Sequence, residues 1–297
     1  MAWSLDIVSL NAGLSFAAAV VSGCLALGSL IAARDKDGCW KAYLGLCLVN
    51  TAMAASDVPS WALAVPITGA ARDILLLCNF TFNAAAGALF ICYGAYLRAL
   101  FSRLAAASGG VARYPLAGAA RMVVGIYLTG CVVSIFNGMF FTAGGDTRYF
   151  RGDLFWFAQV FIVFLYIQAF ATIVANRSLL RPCEAVTLAS YVLLPAVCSG
   201  IQVLFFGAAL VNPALATSLV LIFLGVQGER EAAVIRAERE LARRQLELIE
   251  ARIEPADLYA RLDDARAALD TDPAQAARRV EEISRWLRGR MHAVHRD

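Results

Sequence analysis

Seven apolar segments, each long enough to cross a membrane, limit what this chain can fold into more than any other feature. They lie at 11–33, 41–58, 74–101, 117–142, 154–175, 185–207 and 210–228. An α-helix rises about 1.5 Å per residue, so about 20 residues span the roughly 30 Å of a bilayer core. We therefore predict an all-α membrane protein with seven transmembrane helices.

The charged residues are concentrated in the last part of the chain. Residues 1–228 contain 12 Lys and Arg and 8 Asp and Glu, whereas residues 229–297 contain 14 Arg and 15 acidic residues. This change predicts a boundary near Gly228, with a membrane domain at 1–228 and a cytoplasmic region after it. The net charge of +3 gives no support for nucleic-acid binding.

Basic residues near the ends of the predicted spans favour one orientation in the membrane. If the N-terminus is outside, nine basic residues lie in inner loops and three in outer loops, as the positive-inside rule requires. The inner set is Arg34, Lys36, Lys41, Arg98, Arg103, Arg113, Arg121, Arg177 and Arg181, and the outer set is Arg72, Arg148 and Arg151. We predict a multi-pass protein of the inner (plasma) membrane with a cytoplasmic C-terminus. No basic n-region precedes the first span, so we do not expect it to be a cleaved signal peptide, and it should remain in the mature protein. The segment from Pro59 to Pro66 is expected to form an outer loop.

Cysteine, histidine and lysine give no sign of a cofactor. The eight cysteines contain no CxxC pair and most lie inside predicted spans, so we expect no disulfide and no zinc site. His292 and His295 lie three residues apart near the terminus and could hold a metal weakly, but a solvated tail is the simpler interpretation. The only lysines, Lys36 and Lys41, lie in the first hairpin, which excludes a retinal Schiff base on the last helix. We predict no cofactor and no metal.

Several polar residues lie within or beside the predicted spans. Such groups are costly in lipid unless they face one another or water, so we expect them to point into the bundle. Either they form an outward-opening ligand pocket, or they hydrogen-bond between helices and stabilise the bundle. The candidate ligand-binding residues are Asp57, Arg72, Asn79, Asn83, Asn137, Gln159 and Gln202.

The last span continues into a charged helical pattern without a polar linker. Asn212 and Pro213 predict an N-cap and a first-turn proline, and a helix from 213 to 254 would be about 60 Å long. Within 229–254, apolar residues at spacings of three and four predict a coiled coil and hence a homodimer; a single amphipathic helix is the alternative. The predicted dimerisation residues are Ile235, Ala242, Leu246, Ile249 and Ile253. Arg236, Glu240 and Arg244 predict a ladder of i,i+4 ion pairs outside this seam.

A helical hairpin is predicted at 255–297. Asp272 followed by Pro273 and Gln275 is typical of a capping box that starts a second helix. That helix would pack back on the first through Ala277, Val280, Ile283, Ser284 and Leu287. Two such hairpins in a dimer would form a four-helix bundle.

This region resembles the dimerisation and phosphotransfer hairpin of bacterial sensor histidine kinases of the autolysis-sensor type. That family carries a box of the form Gln-Ile-x-Pro-His-Phe-Leu-Tyr-Asn, an Asp-Pro turn, and a second helix ending in Leu-Ser-x-Tyr-Leu-Arg. The matching residues here are Ile253, Pro255, Leu258, Tyr259, Asp272, Pro273, Ile283, Ser284, Trp286, Leu287 and Arg288. The resemblance covers about 50 residues and implies a multi-span membrane sensor joined to a dimeric signalling hairpin.

One departure from the family decides the expected chemistry. Ala256 occupies the position of the phosphoacceptor histidine, and a methyl group cannot act as the nucleophile. No ATP-binding motif follows in the sequence, so we expect no kinase activity from these residues. The expected partners are a second copy of the chain, the lipid bilayer, a partner kinase or response regulator, and an unidentified small-molecule or lipid ligand. A small-solute transporter or channel with a cytoplasmic oligomerisation tail is the alternative.

Overall fold

The structure is a computed structural model that describes residues 7–32, 37–63, 69–144, 147–205, 209–227, 235–245, 247 and 255–294. The chain forms two compact units, Met1–Gln227 and Gly228–Asp297, which we call the membrane unit and the charged unit. Each unit is described by itself.

A helix coincides with each of the seven predicted apolar segments of the membrane unit. These helices are α1 (Ile7–Ala32), α2 (Gly38–Ala62), α3 (Ala70–Ser108), α4 (Ala117–Asn137), α5 (Phe155–Ala175), α6 (Pro182–Leu204) and α7 (Val211–Ile222), with a π-helical turn at Phe223–Gln227. Five of them, α1 and α3 to α6, are long and apolar enough to cross a membrane. An all-α membrane protein is thereby confirmed as the fold class.

The membrane unit exposes large apolar side chains and buries several polar ones beside its apolar core. Phe16, Leu27, Phe136 and Trp156 are each more than half exposed. The buried set, in contrast, includes polar residues from several helices, among them Asn11, Ser15, Ser22, Asn50, Asn212 and Ser218. Large apolar side chains can face outward because lipid solvates them, whereas these polar groups face inward because lipid offers them no hydrogen bonds.

Tyrosines fill the centre of the helix packing. The rings of Tyr93 on α3 and Tyr191 on α6 stack with centroids 4.4 Å apart. The Tyr93 hydroxyl donates to the Leu188 carbonyl at 2.7 Å, and the Tyr43 hydroxyl donates to the Leu219 carbonyl at 3.1 Å. The buried hydroxyls thus join α2 to α7 and α3 to α6, because a buried polar group is costly without a partner.

Pro59 lies inside α2, so the predicted loop from Pro59 to Pro66 is wrong at its start. The helix continues to Ala62, and the Leu63 N–H donates to the Pro59 carbonyl at 3.1 Å. A proline removes only one helical donor, and neighbouring side chains reduce the effect of that loss in membrane helices. Residues 64–68 of the predicted loop lie outside the described residues.

A short β-hairpin follows α4, where the sequence predicted helix as far as residue 142. Strands β1 (Phe141–Gly144) and β2 (Thr147–Arg151) are antiparallel, with Phe141 opposite Arg151. The helix ends at Gly138, whose positive φ of 71° suits glycine. The Ser134 hydroxyl accepts from the Phe140 and Phe141 N–H groups at 3.0 and 3.1 Å. These contacts fold the chain back so that the Phe141 ring is fully buried.

The charged unit contains three described helices: α8 (235–245), α9 (Pro255–Leu269) and α10 (Pro273–Val294). The predicted helix start at Asp272 is confirmed, because its carboxylate accepts from the N–H groups of Ala274 and Gln275 at 3.0 and 3.2 Å. Helices α9 and α10 pack against each other as a hairpin. The Arg244 side chain pairs with Glu240 at 3.2 Å, which confirms that step of the predicted charge ladder.

The residues that close the hairpin differ in part from those predicted. Ile283 is buried as expected and Leu287 is half-buried, but Ala277, Val280 and Ser284 are exposed. Alanines fill the contact instead: Ala265 and Ala268 on α9 and Ala276 on α10. Small side chains allow two helices to approach closely, and several larger apolar residues, Leu262, Leu269 and Val280, are left on the outer surface of the hairpin.

The predicted coiled-coil seam is described only in part. Ile235 and Ala242 lie on α8 and are exposed in the single chain. Leu246, Ile249 and Ile253 lie outside the described residues, as does the stretch at 228–234 on which the continuous helix from 213 to 254 depends.

Candidate functional site

A carboxylate whose partners among the described residues are all neutral lies between three helices of the membrane unit. The Ser15 hydroxyl on α1 donates to Asp57 Oδ2 on α2 at 2.6 Å, and Asn212 Nδ2 on α7 donates to the same oxygen at 2.8 Å. Trp61 Nε1, one turn further along α2, reaches it at 3.3 Å. Asn212 Nδ2 also lies 3.2 Å from Ser15 Oγ. We call these four residues the Asp57 cluster.

The spacing of small and polar residues on α1 accounts for the position of Ser15. The buried positions of this helix recur every three or four residues and form one stripe, which faces α2 and α7. They are Asn11, Ser15, Ala18, Ser22, Ala26 and Ser29. Small side chains let the helices approach closely enough for short interhelical hydrogen bonds.

A second polar contact repeats the first, seven residues later on α1 and seven residues earlier on α2. Asn50 Nδ2 on α2 donates to Ser22 Oγ on α1 at 2.6 Å. Seven residues correspond to about 10.5 Å of helix, so the two polar levels are about two turns apart. Both Ser22 and Asn50 are fully buried.

The start of α7 is capped by other helices and not by its own sequence. Asn212 was predicted as the N-cap, but the N-cap is Leu210 and it makes no side-chain cap hydrogen bond, so that prediction is wrong. Gln202 Oε1 on α6 accepts from the Leu210 and Val211 N–H groups at 3.3 Å each. Asn11 Oδ1 on α1 accepts from the Ala209 N–H at 3.0 Å. Asn212 is thereby free to turn its amide towards Asp57.

Two of the seven predicted ligand-binding residues, Asp57 and Gln202, therefore converge on the start of α7. Asn79 and Asn83 share a face of α3, where Asn83 Nδ2 donates to the Asn79 carbonyl at 2.8 Å. Asn79 is buried, and its Nδ2 has no partner among the described residues.

The other three predicted residues have separate surroundings. Arg72 Nε donates to the Ala143 carbonyl of the β-hairpin at 3.1 Å. Asn137 Oδ1 accepts from the Met139 N–H at 3.1 Å, in the turn that leads to β1. Gln159 is half-buried on α5. The polar residues thus form several local groups, and a ligand-binding role for each remains a prediction.

The Asp57 cluster has acceptor oxygens that the described residues leave available. All three donors approach Oδ2, and the described residues make no hydrogen bond to Oδ1. Asn212 is 2% exposed, and its Oδ1 has no described partner. No described Lys or Arg forms an ion pair with Asp57. A cation or a hydrogen-bond donor is the chemistry that this arrangement can accept.

Ser15, Trp61 and Asn212 belong to the cluster but were not among the predicted site residues. The seven-residue spacing of Ser15, Ser22 and Ser29 was a signal that could have indicated a buried polar stripe on α1. The role of Asn212 could not be inferred from its neighbours, since Asn followed by Pro is an ordinary helix-start pattern.

Ala256, the position that lacks a nucleophile, lies in α9. The backbone of Ala256 is helical, one residue after Pro255 at the start of that helix. Within the described residues, no group of three or more His, Cys, Asp or Glu side chains could hold a metal ion.

Comparisons with protein-family models, with curated proteins and with solved structures gave no match to this chain.

Proposed function

We propose that this chain is a membrane signal receptor built like a sensor histidine kinase of the autolysis-sensor type, without kinase activity in these residues. Seven helices cross the plasma membrane with the N-terminus outside, and a ligand acts at the Asp57 cluster. The change passes through α7 to a cytoplasmic dimeric hairpin. The observation that carries this proposal is the attachment of the start of α7 to α1, α2 and α6 through Asn11, Asp57 and Gln202.

Contacts at the other end of α7 support a role in transmission. Tyr43 on α2 bonds to the Leu219 carbonyl, close to the π-helical turn. Gly225 in that turn packs so closely on α6 that a Cβ there would lie 2.9 Å from the Thr187 hydroxyl. A short helix that is buried along most of its length moves as a unit when one end is displaced. Passage of the signal from Gln227 into the charged unit is the proposed next step.

The outer surface of the hairpin supports the proposed dimer. Tyr259, Leu262, Leu269 and Val280 are 67%, 44%, 60% and 55% exposed in the single chain. Exposed apolar residues of this number on a small helical unit favour an interface with another protein surface. In the proposed receptor a second hairpin covers them and completes a four-helix bundle. Ala256 has no nucleophilic atom to accept a phosphoryl group at the position of the phosphoacceptor histidine. Any phosphoryl transfer therefore requires a partner kinase.

Cysteine cross-linking on α8 tests the dimer in native membranes. Ala242 occupies the predicted seam, whereas Ala237 lies on the opposite face, and both alanines are exposed in the single chain. We expect Ala242→Cys to form an intermolecular disulfide under mild oxidation and Ala237→Cys to form far less. The parent chain provides the background from its native cysteines. Equal cross-linking at both positions, or none at either, would contradict a parallel coiled coil.

A two-residue insertion after Gly228 tests transmission. Two residues turn a helix by about 200°, which would misalign any helix that continues from α7 into the coiled coil. We expect the insertion to change phosphorylation of the proposed partner response regulator, whereas a seven-residue insertion should preserve it. An unchanged output after the two-residue insertion would count against a continuous signalling helix.

A small-solute transporter or channel is the second candidate function. It is favoured by three buried polar atoms that have no partner among the described residues, namely Asn212 Oδ1, Asn50 Oδ1 and Ser29 Oγ. They lie on the stripe between α1, α2 and α7, where bound water or a passing solute would satisfy them. Flux through liposomes containing the purified chain would favour this candidate over the receptor.

A further inference from the structure

We propose that the Asp57 cluster binds one small monovalent cation of the Na⁺ class. The location rests on the proposed ligand site, but the cation is a separate claim about what occupies it.

The first argument is the charge of Asp57. Its carboxylate lies between α1, α2 and α7, and its described partners are a hydroxyl, an amide and an indole, all of them neutral donors. Neutral donors stabilise an ionised oxygen without cancelling its charge. Asp57 is half-buried, five residues before the end of α2. A carboxylate that is partly removed from water is disfavoured as an anion unless a charge of opposite sign accompanies it. A bound cation supplies that charge.

The second argument is the set of oxygens around the carboxylate. Asn212 Oδ1 is buried without a described partner, although its amide nitrogen is held 2.8 Å from Asp57 Oδ2. Ser15 Oγ, which is fully buried, lies within 2.6 Å of the same oxygen. Carboxylate, amide and hydroxyl oxygens are the hard ligands that Na⁺ and similar ions prefer, and an amide oxygen left without a donor is free to coordinate one.

The third argument selects a monovalent ion. Asp57 is the only carboxylate that the described residues bring to the cluster. Protein sites for Ca²⁺ gather several carboxylates among six to eight oxygens, whereas one carboxylate balances one positive charge. The same count disfavours Mg²⁺, which is also reluctant to lose its water.

Equilibrium binding of ²²Na⁺ to the full chain in phosphatidylcholine nanodiscs tests the proposal. These lipids carry no primary ammonium group that could occupy the site. We expect saturable binding of one ion per chain that unlabelled Na⁺ displaces and N-methylglucamine does not. Asp57→Asn keeps the shape of the side chain but removes its charge, so it should weaken binding at least about tenfold. Asp153→Asn is the matched control, because it removes an exposed aspartate in the turn before α5 and should leave binding unchanged.

A second variant keeps the test decisive if Asp57→Asn folds poorly. Asn212→Ala removes the unpartnered amide oxygen and leaves the carboxylate, and it should also weaken binding if that oxygen is a ligand. The proposal is overturned if the well-folded parent chain binds no Na⁺, or if both variants bind as the parent does. The proposal is also overturned if the cluster binds a proton but no Na⁺. Failure here leaves the dimer and insertion tests untouched, and failure of those tests leaves a measured cation site in place.

Discussion

Replacing Ser15 with alanine removes the shortest hydrogen bond to Asp57, 2.6 Å long. Measured hydrogen bonds between membrane helices average about 0.6 kcal/mol and reach about 1.7 kcal/mol, and bonds to an ionised group lie at the upper end of such ranges. We therefore expect Ser15→Ala to lower the free energy of unfolding of the membrane unit by about 1.5 kcal/mol. Ser22→Ala is the control, since the Ser22–Asn50 bond has the same length on the same two helices but involves no charged group. It should lose about 0.6 kcal/mol. Ser15 also accepts from Asn212 Nδ2 at 3.2 Å, so the contribution of the charge is separated by the Asp57→Asn background.

A double-mutant cycle with Asp57→Asn isolates the contribution of the charge. The unfolding free energies of the single and double variants would be measured in bicelles by steric trapping. In the Asp57→Asn background Ser15→Ala should lose only the neutral amount, which gives a coupling of about 1 kcal/mol. Ser22→Ala should be unaffected by that background, because it lies about 10.5 Å away along α1. Equal losses for the two serines, or no coupling between Ser15 and Asp57, would refute the ionised carboxylate on which the cation proposal depends.

Three further predictions concern packing and caps. Gly130→Ala would place a Cβ 2.5 Å from the Phe140 ring. We expect it to lower the free energy of unfolding, measured by thermal unfolding, by about 1–3 kcal/mol. Gly125→Ala is the control on the same helix, because its Cβ would meet nothing within 4 Å, and it should be neutral or stabilising. Tyr43→Phe removes the bond to the Leu219 carbonyl and should lose about 0.5–1.5 kcal/mol in the same assay. Asp272→Ala should lose about 1 kcal/mol and increase hydrogen exchange in the first turn of α10; unchanged exchange would contradict the cap.

The parts of the fold that could be predicted were those governed by the lipid. Apolar segments located the helices of the membrane unit, five of which are long and apolar enough to cross a membrane, because a membrane span must satisfy its own backbone and present apolar side chains. The hairpin after α4 was missed because Phe140 and Phe141 are as apolar as the helix before them. It is distinguished by tertiary contacts: Ser134 accepts their N–H groups, and Gly130 leaves space for the Phe140 ring.

The candidate site could be predicted only in part, for a related reason. Asp57 is conspicuous in an apolar sequence, whereas its partners Ser15 and Asn212 are ordinary residues in membrane helices. Which of them meet depends on how α1 and α7 lie against α2, and a sequence pattern does not contain that information. The same limit applies to α10, where buried Ala276 and exposed Ala277 cannot be told apart from the sequence around them.

The matched spacing of the polar levels on α1 and α2 has a consequence for how the two helices align. Ser15, Ser22 and Ser29 are interchangeable in shape, so sliding α1 by seven residues would still bring serine opposite Asn50. The contacts of α1 with the start of α7 distinguish the native alignment from the shifted one, since Asn11 Oδ1 accepts from the Ala209 N–H at 3.0 Å and no other Asn lies seven residues away on α1. Asn11 thus fixes the register of α1, in the way that a single buried polar residue selects one alignment of a coiled coil.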